Sequence, residues 1–373
     1  MTSQSKNPPW GQTPWNIDFH PQPSPLPERI DFAVVGGGFS GLSAAAELRR
    51  LDPTHTVAVL EAENVGAGSS GRTGGLTLTE TAAGDLPGLG DVLAGFTDVL
   101  KNQNVTADIS LPGVWELDRT NANEKSPIRW SDSGQLRVAR EVPGGTVNPG
   151  KLVSGLASAA SERGALIFEG ARVDQIDFGE TLVLHVRGTQ LQARRVLVAT
   201  NAESLELSGL AGRAEPKFTV AVATQPLEAA KLEALGLALG KPFYTVDLPY
   251  LWGRLVHENQ IIFGSGLVSV DKWRDLAAVD VRSGQALELL AGLKRRIARL
   301  HPVLADVRFS HEWGGPILIG DDWRPVFARH PRGDRALVLG AYSGHGVAQS
   351  TYLGSWAAEA LLDRRNLPDW NSR

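Results

Sequence analysis

Three glycines and one acid carry the clearest chemistry in this chain. Gly36, Gly38 and Gly41 stand in the order G-x-G-x-x-G inside DFAVVGGGFSGLSAAAELRRL (residues 31–51), and Glu61 ends the run HTVAVLE (residues 55–61). That set suits the phosphates and ribose of a dinucleotide. Gly36 would allow a tight turn, and Gly38 would let the backbone approach a pyrophosphate. Gly41 would let a helix pack closely on a strand. Phe39 and Ser40 lie inside the turn, where free N–H groups and the positive end of a helix would meet the phosphates. The Glu61 carboxylate, with Ala62 beside it, would accept hydrogen bonds from a ribose.

The elements that must position these groups can be read from the pattern. Residues 31–35 are apolar and β-rich, as in a buried parallel strand. Residues 42–51 read as a helix with alanines on its packing face, and residues 55–61 as a second strand. A glycine turn without a ligand is the alternative. Strand, turn, helix, strand and terminal acid in this order argue for the dinucleotide.

Composition narrows the remaining choices. The 373 residues suffice for a large core and two domains. With 21% charged residues and a net charge of −4, nothing points to nucleic acid. Cysteine is absent, which removes disulfides, thiolate metal sites and a cysteine nucleophile, and favours a reducing compartment. The first residues lack a signal-peptide core, and no apolar run reaches the ~18 residues of a membrane span. A cytoplasmic protein is expected. No His, Asp and Glu cluster has metal-ligand spacing, so no metal is expected. No hydrolase triad motif is present. Residues 1–30 hold Pro8, Pro9, Pro14, Pro21, Pro23, Pro25 and Pro27, so they are extended and not helical. They are either a loose tail or an arm anchored by Trp10 and Trp15.

The loop after Glu61, EAENVGAGSSGRTGGL (residues 61–76), resembles the segment after the second strand in the D-amino-acid-oxidase-like family of FAD-dependent amine oxidoreductases. Glycine oxidase and sarcosine oxidase belong to that family, and the nearest likeness is to its γ-glutamylputrescine oxidase branch. The likeness covers nearly the whole chain. It implies that Ser70, Arg72, Thr73, Gly74, Gly75 and Leu76 run beside a flavin, with Thr73 where the family usually has Asn. By the same likeness Val173 would offer backbone groups to the adenine. Thr200 and Asn201 would lie where the strand of residues 194–205 passes the cofactor. The turn Gly340, Ser343, Gly344, His345, Gly346 and Val347 would direct N–H donors at the flavin's pyrimidine carbonyl; an ordinary strand-to-helix turn is its plainer reading.

The fold implied is α/β, α+β overall. A Rossmann-like FAD-binding domain (residues 31–77, 147–215 and 316–373) would carry a second, mainly antiparallel-sheet substrate domain (78–146 and 216–315) behind the N-terminal arm (1–30). Tyr250, Trp252 and Arg254 alternate on one face of a strand in PYLWGRLVHENQIIFGSG (residues 249–266). Arg254 would grip a substrate carboxylate, or is an arginine on an exposed strand face. Tyr250 and Trp252 form either an aromatic wall for an amine or plain packing. His345 would touch the flavin or steer the amine's protonation, or is held by backbone. His257 belongs on an exposed turn, and Trp313 in packing.

The activity implied is oxidation of the C–N bond of an amine or amino acid. Hydride would pass from the α-carbon to flavin N5, and the resulting imine would hydrolyse. Oxygen would re-oxidise the flavin; a dehydrogenase using a protein or quinone acceptor, and a non-catalytic flavin-binding scaffold, are the alternatives. Without cysteine the cysteinyl flavin link of some sarcosine oxidases is impossible here, so the FAD should be non-covalent. Ile262 stands where some sarcosine oxidases carry an oxygen-activating lysine, with Lys217 as a substitute. The partners expected are a small amine or amino acid, oxygen or another electron acceptor, and optionally further copies of the chain, with no nucleic acid and no membrane.

Overall fold

The computed structural model describes residues 8–119 and 124–371. The start of the expected arm (1–7), residues 120–123 of the expected second domain and residues 372–373 lie outside the described residues.

The apolar run at residues 31–35 does form a strand, Arg29–Val35, fully buried over its last four residues. It sits at the centre of an eight-stranded sheet. Thr189–Val198 and Val57–Leu60 flank it in parallel, and Gly333–Gly340 and Leu166–Phe168 extend the parallel set. Three antiparallel strands, Val326–His330, Val173–Asp177 and Leu182–Val186, complete the sheet. Both faces are covered, so the central strands are uniformly apolar rather than alternating. The helix Phe39–Leu51 buries Leu42, Ala44, Ala45, Ala46 and Leu48 against this sheet and the helices Pro149–Glu162 and Gly346–Leu361.

A second eight-stranded sheet runs in the order Phe309–Gly320, Ala214–Thr224, Gln260–Ser269, Trp252–Val256, Phe243–Thr245, Val114–Asp118, Gln135–Val142, Trp130–Ser131. All its pairs are antiparallel except Phe243–Thr245 with Val114–Asp118. The helix Gly284–Leu300 covers it with Ala286, Leu290, Leu293, Ile297 and Leu300. A short pair, Leu76–Leu78 with Gly144–Thr146, closes the neck of the segment expected at 78–146. The other expected boundaries cut elements. Positions 215/216 and 315/316 fall inside continuous strands, and the helix Val92–Gln103 packs Val92, Phe96 and Leu100 into the core of the first sheet. Among the described residues no helix is long and apolar enough to cross a membrane.

The proline-rich segment from residue 8 is an arm. Gly11 bridges to Trp313, and the Gly314 N–H donates to the Trp10 carbonyl at 2.9 Å. Trp10 Nε1 donates to the Leu276 carbonyl (3.0 Å) and Trp15 Nε1 to the Gly71 carbonyl (2.9 Å). The Trp15 ring meets Trp313 edge-on at 5.8 Å. Prolines suit this path because an extended strap leaves few N–H groups to satisfy. Trp15→Ala should cost about 1.5–2.5 kcal/mol, less than the roughly 3–5 kcal/mol of a fully buried aromatic, because Trp15 is only half-buried. A urea-unfolding midpoint equal to the wild type's would mean that the arm rests on the surface without load.

Candidate active site

A cavity of about 930 Å³ opens at the carboxyl ends of the parallel strands, under the second sheet. It stands at the upper end of the roughly 300–1,000 Å³ of ligand pockets, and at the edge where open α/β sheets bind ligands. The strand Arg29–Val35 delivers Gly36 there with φ +109. Its N–H donates to the Leu60 carbonyl (2.9 Å), and a Cβ would fall 2.6 Å from the Ala199 carbonyl. The Gly37 N–H donates to Glu61 Oε2 (2.7 Å), and the Glu63 N–H to Glu61 Oε1 (2.9 Å). Burial pushes the Glu61 carboxyl up, while these two N–H groups pull it back. No side chain of its own N-cap residue bonds the start of the helix Phe39–Leu51 and its first turn holds no acid, so its positive end faces the cavity.

The loop after Glu61 is pinned from both sides. The Phe39 N–H donates to Ser70 Oγ at 3.0 Å. Ser69 Oγ donates to the Pro316 carbonyl at 2.8 Å. The Arg72 guanidinium donates to the Gly314 and Gly11 carbonyls, both at 2.7 Å, and lies 5.5 Å from the Trp10 ring centre. Burial lowers its pKa to about 10. Asn201 sits in the left-handed region (φ 48) and ties three loops together. Its Nδ2 donates to Ser69 Oγ (3.1 Å), and its Oδ1 accepts the Ala341 N–H (3.0 Å). Ala341 and Ser343 also hold positive φ (56 and 51), strain of the kind that gathers at functional sites. Beyond them His345 precedes the helix Gly346–Leu361, whose start again has no acid in its first turn and no side chain of its N-cap residue bonded to it. Burial pushes the His345 imidazole down; the Ser343 carbonyl and the Glu80 charge oppose this. The ring is therefore neutral at neutral pH.

The second sheet lines the far side. Trp252 lies over Gly74 and Gly264, and a Cβ on either glycine would enter its ring. Tyr250 is 43% exposed at the rim. Glu116 makes a two-point pair with Arg140 (2.9 and 2.8 Å) and accepts the Tyr244 hydroxyl (3.1 Å). Glu80 completes this wall.

The pattern that defines the FAD-dependent oxidoreductase family (DAO) matches residues 31–89 and 93–360. The chain belongs to that family. It is 26% identical to a probable oxidoreductase OrdL of Rhizobium meliloti, over 91% of this chain and 85% of the relative. It is 27% identical to the gamma-glutamylputrescine oxidoreductase of Escherichia coli, over 89% and 83%. Its fold matches that of glycine oxidase from Geobacillus kaustophilus with a TM-score of 0.71 at 19% identity, covering 93% of this chain and 98% of that one.

The family's cofactor fits the residues present. Thr200 Oγ1 is buried without a hydrogen-bond partner at the cavity, and the Gly36–Gly38 cradle sits at the N-terminal end of the helix Phe39–Leu51. Of the residues named from sequence, Gly36, Gly38, Phe39, Ser40, Glu61 and Ala62 line the cavity. So do Ser70, Arg72, Thr73, Gly74 and Leu76 from the following loop. Val173, Thr200 and Asn201 line it from the first sheet, and Ser343, Gly344, His345, Gly346 and Val347 from the last turn. Gly41, Gly75 and Gly340 stand behind the wall. A Cβ on Gly41 would run into the Gly36 carbonyl, so that glycine serves helix packing. At Gly38 a side chain would first strike Ser70 Oγ, 2.8 Å from the Cβ position.

The geometry does not give Arg254 the role expected of it. Its side chain is on the same strand face as Trp252, but it is 7% exposed and does not line the cavity. Its guanidinium donates to the Val147 carbonyl (2.6 Å) and the Gly75 carbonyl (3.2 Å). It neither faces the cavity nor lies on an exposed face. Ile262 is fully buried and paired with Arg254 in the sheet, and Lys217 pairs with Glu215 at 2.8 Å; neither lines the cavity. His257 is on an exposed turn beside Asp108, and Trp313 is buried, donating to the Arg72 carbonyl at 3.0 Å.

Sequence reasoning missed Glu80, Glu116, Arg140, Tyr244 and Glu203. Glu203 follows Asn201 by two residues, a proximity that marks it. Burial, reinforced by Glu61 and Glu63, pushes its carboxyl up to about 7; Arg172 opposes. A raised carboxyl pKa adds stability that is complete below the ordinary 4.5 and is lost as pH rises through about 7. Glu203→Gln should thus leave the apo-protein's unfolding free energy unchanged at pH ~4.5 and raise it at pH ~8 by about 1–2 kcal/mol, discounted for water in the cavity. An equal effect at both pH values would contradict the assignment.

Proposed function

We propose that this chain oxidises a carbon–nitrogen bond of a small amine or amino acid, using FAD held without a covalent link. The observation that carries this reading is the continuity of the cavity. It joins the N-terminal ends of two helices and the Glu61 carboxylate on one side to an aromatic and acidic wall on the other. When bound, FAD supplies the two-electron acceptor, and the chain does the rest. The Gly36–Gly38 turn and the helix Phe39–Leu51 would hold the pyrophosphate, Glu61 the ribose, and Val173 the adenine. Thr200 Oγ1, buried without a partner, would hydrogen-bond the cofactor. The N-terminus of Gly346–Leu361 favours negative charge beside it.

Trp252, Tyr244 and Tyr250 exclude water around the substrate. His345, neutral through burial, offers a ring nitrogen as hydrogen-bond acceptor to a substrate amine that enters in its neutral form, the form whose C–N bond can become an imine. Water then hydrolyses the imine to a carbonyl compound and an amine. No cysteine exists to form a cysteinyl flavin link; with the FAD non-covalent, acid precipitation should leave all of it in the supernatant, and flavin retained in the pellet would mean a link through another side chain. Reduction under argon by a panel of amines and amino acids tests the reaction. Peroxide yield in air then decides between oxygen and another acceptor, with one peroxide per carbonyl formed expected of an oxidase. A FAD-loaded protein that no member of a broad panel reduces would favour a binding scaffold.

A further inference from the structure

The charges on the substrate side of the cavity do not balance. Arg140 is spent on Glu116 in a two-point pair, and the Tyr244 hydroxyl closes the remaining side of that carboxylate. Arg254 is turned away onto backbone carbonyls, and Arg72 is held by the Gly11 and Gly314 carbonyls. Arg172 stands at the other end, where it acts on Glu203. His345 is neutral. What remains is Glu80. Its backbone carbonyl accepts Gln349 Nε2 at 2.9 Å, but no hydrogen bond or ion pair of the described residues reaches its carboxylate. It lines the cavity between His345 on one side and Arg140 and Tyr244 on the other, close enough for its charge to act on all three. Tyr244, on which its charge acts, lines the same cavity as Tyr250 and Trp252.

A substrate carboxylate entering here would meet an unpaired acid and no free guanidinium. A cation would meet an unpaired carboxylate in a cavity that Tyr244, Tyr250 and Trp252 also line, and both features favour it. We propose that Glu80 receives a second, distal ammonium group, and that the substrate is an aliphatic diamine or polyamine without a carboxylate beside the reacting amine. This rests on the proposed amine oxidation for the identity of the site. The pair Glu116–Arg140 would serve as a neutral back wall that holds Tyr244 in place.

The test separates binding from turnover. FAD-loaded protein, its flavin reduced beforehand with dithionite so that no reaction occurs, is titrated by calorimetry with 1,4-diaminobutane, butylamine, glycine and D-alanine. The diamine should bind at least about tenfold tighter than butylamine, which corresponds to about 1.4 kcal/mol, and both amino acids should bind more weakly than the diamine. Glu80→Gln, with normal FAD content as its fold check, should bring the diamine down to butylamine's affinity. Equal affinities for diamine and monoamine, tighter binding of an amino acid, or a preference that survives Glu80→Gln would overturn the proposal. If the variant fails to fold, the ranking of the four compounds on the wild-type protein decides alone. Should the oxidised protein bleach with an amino acid but not with the diamine, amine oxidation stands and the diamine site falls. Should nothing bleach while the diamine still binds through Glu80, the reverse holds.

Discussion

Gly36→Val is expected to yield a protein that purifies colourless. The position needs φ +109, a conformation that costs a β-branched residue on the order of 1–3 kcal/mol. The new Cβ would also lie 2.6 Å from the Ala199 carbonyl, in a strand end that cannot withdraw because Ala199 N–H donates to the Val35 carbonyl at 2.8 Å. Relief requires moving the Gly36–Gly38 turn, and with it the Gly37 N–H that holds Glu61. Strain and collision together should remove at least about 3 kcal/mol, roughly a hundredfold or more in FAD affinity. Flavin absorbance per polypeptide, and FAD titration of the apo-protein by calorimetry, read the loss. Gly38→Val should do less at first contact, because the Ser70 side chain can turn aside. A stable Gly36→Val protein with a full complement of FAD would mean that the turn does not hold the cofactor.

Arg254→Ala should weaken the fold rather than substrate capture. Removing the guanidinium strands the Val147 and Gly75 carbonyls and leaves a cleft where a long buried side chain stood. Hydrogen bonds from a charged donor are worth roughly 1.5–3 kcal/mol each, so the expected loss is about 3–5 kcal/mol in unfolding free energy. One nitrogen, Nη1, serves both carbonyls, so lysine should recover part of the loss. A carboxylate fork would have been rescued poorly by lysine. An unchanged unfolding midpoint, with a loss of flavin reduction confined to low substrate concentration, would return Arg254 to the substrate.

The two halves of the site differed in how far the sequence revealed them. The nucleotide half was legible because it is local. Strand, glycine turn, helix and second strand lie within residues 29–61; Gly41 answers to the Gly36 carbonyl and Gly36 to the end of the adjoining strand, while only Gly38 looks to a later loop, at Ser70. The substrate half is assembled from distant segments. Glu80 follows a short strand, Glu116 and Arg140 pair across a sheet 24 residues apart, and Tyr244 reaches Glu116 over 128 residues. No periodicity encodes such a meeting. Arg254 shows the limit of strand alternation. Period two put it correctly on the face of Trp252, but the Gly74–Gly75 backbone lies against that face, so the cavity wall passes between the two side chains. The arm was legible only in part: Trp10 and Trp15 stood out as its anchors, but not what they would hold. Its prolines predicted an extended path, while the partners, Gly71, Leu276 and Trp313, lie from 56 to more than 250 residues downstream.

The central claim, that this cavity couples a bound flavin to oxidation of a C–N bond, is tested most directly by single-turnover stoichiometry. FAD-loaded protein is mixed anaerobically with excess amine, and the bleaching of the flavin is compared with the carbonyl product released after hydrolysis. We expect one carbonyl compound and one liberated amine or ammonia per flavin reduced, with diamines the fastest of the panel. Bleaching without a carbonyl product, or a flavin that no amine or amino acid reduces, would contradict it.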